Sequence, residues 1–350
     1  MSLYPCIYQH GKIKNTVVQL LLFTTLLGLS ACQQTQAPYI IHFSHSVDHT
    51  TPKGKTARLF AQLVKKRLAG KVTVKIYPNS ELYIDRDLIE AMIWSKHKTI
   101  GLMGAPSLSD FIHYAKPLQA FDLPYLFNDI TDVHKLVDSP IIDKMTAPLA
   151  QHGIKALGFW DNGMKVFSIR GAKPLTKIPA DFRGKTIRIQ NSKVHYEMIK
   201  VMGGIPKIMP FKKVYKNLGL GVIDGQENAW SNIYSKKFYE QQDYITVSNH
   251  SYLGYAVVIN AEFWHNLPAD IRHELKTIIK EVTKANRRYA AKANKQDREA
   301  IAAIGSTKII TLSNTERKKW AHRVKQKVEA KFSSEIGKEL LKEIHKTLDK

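Results

Sequence analysis

The sequence predicts an α/β protein made of two units with largely parallel sheets. Apolar runs of strand length alternate with stretches of helical period, and that alternation starts afresh near Gly158. The 350 residues are enough for two domains of ordinary size.

Tyr39–Phe43 opens the first unit as a strand. The segment from Lys53 to Leu68 then places Ala57, Phe60, Ala61, Val64 and Leu68 on one helical stripe, and Gly70 stops it. Val72 begins a second strand, Asp85 to Ser95 is helical, and Ile100 to Pro106 is a buried type of strand. In the second unit, strands are expected at Lys165–Ile169, Thr186–Ile189 and Ile205–Ile208, with helices at Lys193–Met202 and Lys212–Leu218. Tyr255–Asn260 is one more apolar strand. A long helix over Ala269–Ile304 carries Ile271, Leu275, Ile278, Val282 and Ala285 on its apolar stripe. With no internal Gly or Pro, it is long enough to span both units.

The net charge is +23, but Lys and Arg are spread along the whole chain. No basic cluster interleaved with aromatics and no zinc-finger spacing accompanies them, so no nucleic-acid partner is expected. At the N-terminus Lys12 and Lys14 precede the apolar run VVQLLLFTTLLGLSAC, which ends at Cys32. That is the pattern of a secretory signal peptide over residues 1–31, too short for a comfortable membrane span. Leu29-Ser30-Ala31-Cys32 resembles the lipobox of bacterial lipoproteins, in which the cysteine becomes the lipid-modified first residue and anchors the protein to a membrane. The alternative is an ordinary signal peptide with a chance cysteine. Cys6 lies in the removed segment, so the mature chain has no disulfide.

Catalytic signatures are missing: there is no G-x-S-x-G, H-E-x-x-H, P-loop or Rossmann glycine pattern. Histidines and carboxylates assembled in space leave an enzyme open. His42, His45, Asp48 and His49 have ligand-like spacing. On a strand, however, His42 and His45 point to opposite faces, so no metal is expected. No cofactor is implied either.

Arg188 is the residue out of place. In the strand Thr186–Ile189 it faces away from Ile187 and Ile189, close to the strand's end. An arginine inside a sheet covered on both faces is costly, whereas ligands bind at the carboxyl ends of such strands. Asn191-Ser192 supplies an N-cap for the next helix, so a guanidinium fork and helix N–H groups point one way, which suits a carboxylate. A solvated arginine is the other reading, and spacing alone leaves both open.

The runs GKTIRIQNS, IMPFKKVY and GVIDGQENAWSNIYSKKFYEQQDYITVSNHSYLGYAVVIN resemble the solute receptors of TRAP transporters, closest to the DctP-type binders of four-carbon dicarboxylates. The likeness extends back through KGKTARLFAQLV, YPNSELYIDRDLIEAM, APSLSDF, FDLPYLF and WDNGMKVFSIRGAKPL, and covers about Tyr39 to Ala303. It implies a type II periplasmic-binding-protein fold: two α/β domains, hinge strands and a long bracing helix. The expected division is 39–161 plus about 254–285 for domain I and 162–253 for domain II, with C-terminal helices of 286–350 packing across domain II.

By the same resemblance Arg188 pairs with a ligand carboxylate, Phe211 packs on the ligand and Asn228 hydrogen-bonds it. Lys165 stands where many members carry a second arginine and is assigned the distal carboxylate. Asp85 and Arg86 lie in a cleft-lining loop, and His45, Ser107, Trp230 and Tyr252 are further wall residues. Ala229 replaces the family's usual proline and loosens the backbone restriction on Asn228. The implied function is capture of succinate, malate or fumarate in the periplasm, without chemistry on it, and delivery to the small and large membrane subunits of a TRAP permease. Alternatives are another organic acid (a keto acid or sugar acid), an exported enzyme acting on carboxylates, and a receptor that signals to a sensor kinase.

Overall fold

The computed structural model describes residues 37–349, and the predicted signal peptide and Cys32 lie outside the described residues. The chain from Pro38 onward is one compact unit that contains two sheets. The first has strand order β2-β1-β3-β10-β4, with β1 at Tyr39–Ser44, β2 at Val72–Tyr77, β3 at Ile100–Gly104, β4 at Ile154–Met164 and β10 at Tyr252–Asn260. The second has order β11-β9-β5-β8-β6-β7. Its members are β5 (Val166–Ile169), β6 (Thr186–Ile189), β7 (Ile205–Ile208), β8 (Gly225–Asn228), β9 (Tyr244–Val247) and β11 (Lys308–Thr311).

The expectation of largely parallel sheets needs correction, because both are mixed. β1 is parallel to β2 and β3, β6 to β7 and β8, and β9 to β11. β10 is antiparallel to β3 and β4, and β5 to β8 and β9. The reason lies in the connections. Lys165 alone separates β4 from β5, and four residues separate β9 from β10. Such direct links carry the chain from one sheet into the other without a helical crossover, which parallel neighbours require.

The helices are α1 (Pro52–Arg67), α2 (Asp85–Trp94), α3 (Ile130–Val137), α4 (Ile141–Thr146), α5 (Lys193–Met202), α6 (Val214–Gly219) and α7 (Trp230–Ser235). They continue with α8 (Ala261–Asn266), α9 (Ala269–Ile304), α10 (Asn314–Ile336) and α11 (Lys338–Thr347). Their ends follow local chemistry. Thr51 caps α1 by accepting from the Gly54 amide, and Pro52 occupies its first turn. Ser192 accepts from the His195 amide at the start of α5, and Gly203 closes that helix with φ 94°.

α9 buries Ile271, Leu275, Ile278, Val282 and Ala285, the predicted stripe, and packs against α1, β4 and α7. The first sheet and α1 close over Ile41, Phe43, Phe60, Trp160, Val257 and Ile278. On the second sheet, Phe167, Ile187 and Met198 share a core with Trp320, Val324 and Val328 of α10. α10 packs against α5 and the turn Lys116–Asp122. No described helix is long and apolar enough to cross a membrane.

Candidate functional site

β6 ends at Ile189 and α5 begins at Lys193, so the intervening turn faces the loop that precedes α2. A cavity of about 310 Å³ lies between them, lined by Asp85, Arg86, Asp110, Arg188, Gln190 and Phe211 among others. Arg188 is 2% exposed. Its Nε and Nη2 both donate to the Met209 carbonyl, at 3.0 and 2.8 Å, while its Nη1 is buried and has no partner. A guanidinium fixed at one edge and unsatisfied at the other is presented for an anion. Burial pushes its pKa down to about 10, and Glu227 and Asp110 pull it back up, so it is charged at neutral pH. Phe211 lies beside it, with its ring centroid 6.0 Å from the Arg188 Cζ.

Of the residues singled out in sequence, Arg188, Asp85, Arg86 and Phe211 come together on this cavity. Ser107 and Lys165 reach it through Gln190. Gln190 Nε2 donates to Ser107 Oγ at 2.9 Å, and Lys165 Nζ donates to Gln190 Oε1 at 2.9 Å. Lys165 is also 2.9 Å from the Glu227 carboxylate, with side-chain exposures of 1% and 0%. Its charge is therefore already matched within the protein.

Four others lie away from the cavity. His45 is buried edge-on to Phe43, and burial pushes it down to about 3, so it is neutral. Asn228 accepts from the Asn232 side chain at 2.7 Å. Trp230 lines a separate cavity of about 220 Å³ beside Asn162 and Asn294. Tyr252 donates to Asp161 at 2.7 Å and packs on Phe121 and Phe127. Among the described residues no metal-ligating group of three or more is assembled; His42 stacks on Tyr77 instead.

Three charged residues of the site were missed in sequence. Glu227 sits in Gly225–Asn228, a strand that is buried throughout yet polar from Gln226 onward, so no hydrophobic pattern marks it. Burial would raise its pKa, but Lys165, His195 and His250 together hold it below the ordinary carboxylate range. Lys53 is 1% exposed, donates to the Ala105 carbonyl at 3.0 Å, rests 3.8 Å over the Tyr255 ring and lies 3.9 Å from Asp85. Its position in the first turn of an amphipathic helix, on the buried side, was the available signal. Asp110, in the turn Leu108–Phe111, is the third.

Residues 43–335 match the family model described as bacterial extracellular solute-binding protein, family 7. The chain is 40% identical over 326 residues to the C4-dicarboxylate-binding periplasmic protein DctP of Shewanella loihica, covering 93% of this chain and 94% of that one. It is 39% identical to the protein of the same name from Rhodobacter capsulatus, covering 87% and 89%. Among solved structures, a TRAP periplasmic solute-binding protein of Shewanella oneidensis with bound succinate superposes with TM-score 0.84 at 38% identity, covering 89% of this chain and 100% of that one. One from Pseudomonas aeruginosa with bound L-malate gives 0.78 at 38% identity, covering 83% and 98%.

Proposed function

The chain belongs to family 7 of the bacterial extracellular solute-binding proteins, and from that premise we propose that it is a periplasmic receptor for a four-carbon dicarboxylate such as succinate, malate or fumarate. The observation that carries the reading is the buried, unpartnered Nη1 of Arg188 on the wall of a cavity. A planar fork takes two carboxylate oxygens in parallel, a charge-assisted pair worth about 1.5–3 kcal/mol once water is excluded. The names of the curated relatives, and the succinate and malate held by the solved ones, supply the ligand class.

The receptor holds its ligand unchanged and passes it to the small and large membrane subunits of a TRAP permease. Residues 39–161 with about 254–285 form one lobe and 162–253 the other, and closure between them traps the ligand. The Ser107–Gln190 hydrogen bond would join a residue of the first lobe to one of the second. Cys32 carries a lipid that keeps the receptor at the membrane.

Thermal shift against a ligand panel tests the reading. A ligand at one hundred times its dissociation constant adds about 2.7 kcal/mol to the only state that binds it. Succinate, malate or fumarate should therefore raise the melting temperature, and Arg188→Lys should lose most of that shift while keeping the charge. No shift with any of the three overturns the dicarboxylate assignment. A shift with a sugar acid or keto acid alone keeps the receptor and replaces its ligand.

A further inference from the structure

The cavity wall contains carboxylates of its own, an odd lining for a site that receives a dianion. Most acids around it are neutralised by the protein. Asp85 accepts from Ser46 Oγ at 3.0 Å and lies 3.9 Å from Lys53. Asp122, behind the cavity, accepts from the hydroxyls of Ser109 and Ser192 at 2.8 and 2.7 Å and lies 3.7 Å from His195. Glu227 has Lys165. Asp110 differs. It lines the cavity with Arg188, and among the described residues none gives its carboxyl a hydrogen bond or ion pair; the charges that act on it do so from farther off. Asp110 is half-buried on the wall of this cavity, so an ionised Asp110 would share it with the ligand's second carboxylate, and like charges there repel.

We propose that Asp110 binds its ligand as the neutral acid, donating its O–H to the second carboxylate of the dicarboxylate whose first carboxylate is held by Arg188, so that the receptor reads two-headed ligands with one guanidinium and one proton. This rests on the functional reading above. The surroundings support it. Burial raises the pKa of Asp110 to about 8, Asp85 and Asp122 push the same way, and Lys53 and Arg188 oppose. The proton is thus already present near neutral pH. An O–H···O⁻ bond is short and strong, and an ionised carboxylate cannot donate one. The ligand's own carboxyls are fully ionised above pH 7, so they do not titrate in the window where Asp110 does.

The test is calorimetric titration of succinate into the mature protein at pH 6.5 and pH 9, in two buffers of different ionisation heat. Binding weakens as pH rises through the pKa of Asp110, approaching tenfold per pH unit beyond it, and proton uptake accompanies binding near pH 8. Arg188 remains charged over this range. Asp110→Asn retains a donor, binds within a few-fold of the wild type at pH 6.5, and loses the pH dependence and the proton uptake. Wild-type affinity that is flat between the two pH values, or a variant that keeps the wild-type slope, overturns the proposal even if Asp110→Asn folds poorly. A wild type that fails to bind succinate, malate and fumarate at either pH overturns the ligand reading instead.

Discussion

Replacing Lys165 by methionine separates two roles for a buried cation. Sequence resemblance assigns Lys165 to the distal ligand carboxylate, yet its Nζ lies 2.9 Å from Glu227 in a site where neither side chain is more than 1% exposed. Methionine keeps the volume and removes the charge. Glu227 then keeps the His250 imidazole, 3.8 Å away, with His195 and the Arg188 guanidinium acting on it from farther off, and loses its one close cation. Removing one member of a buried pair costs about 3–5 kcal/mol, because the survivor is left uncompensated. For a chain of this size that is a fall of about 4–8 °C in melting temperature. The loss depends on pH in a definite direction. Without Lys165, burial acts on Glu227 against weaker opposition, so its pKa rises from the depressed position it has in the wild type. The gap to the wild type therefore widens as pH rises through the variant's Glu227 pKa, and it is smaller in acid than at neutral pH. Glu227→Gln on the same background recovers part of it. Calorimetric unfolding with and without succinate is the assay. A variant that melts like the wild type but loses dicarboxylates selectively over monocarboxylates would refute this reasoning and return Lys165 to the ligand.

Two further outcomes are expected. Asn286 of α9 is fully buried and accepts from the Asp161 amide at 2.6 Å, so Asn286→Leu strands that amide and costs about 1–3 kcal/mol, measured by denaturant unfolding. Metabolic labelling with a fatty-acid analogue should mark the wild type and not Cys32→Ser, and equal release of both without label counts against lipidation.

Elements with local punctuation were legible in sequence. α5 spans Lys193–Met202 and α9 spans Ala269–Ile304, as their caps and stripes predict, and β6 and β7 also lie at the expected residues. β4 was not expected: Trp160-Asp161-Asn162-Gly163 has turn composition, yet it lies in the second half of an eleven-residue strand with Gly163 at φ 155°. β8 was missed for want of apolar residues: Gln226 and Glu227 are buried by partners that come from other strands and loops. The site followed the same rule. Arg188 stood out because a cation on an apolar strand violates a local pattern. Asp110 and Glu227 break no local rule, and only the fold reveals which carboxylates have been given a cation.

The order in which the strands are threaded has a consequence for how the protein is made. The first sheet places β10 between β3 and β4, and the second places β11 on its edge beside β9. A chain that emerges N-terminus first thus delivers β1 to β4 long before the strand that joins β3 to β4, which ends only at Asn260. The second sheet waits for Thr311 to complete its edge. Neither sheet can close from a nascent fragment, and the pairings that lock them span large sequence distances, which slows folding. An unfinished chain accordingly lacks both the strand that joins β3 to β4 and the strand that completes the edge of the second sheet.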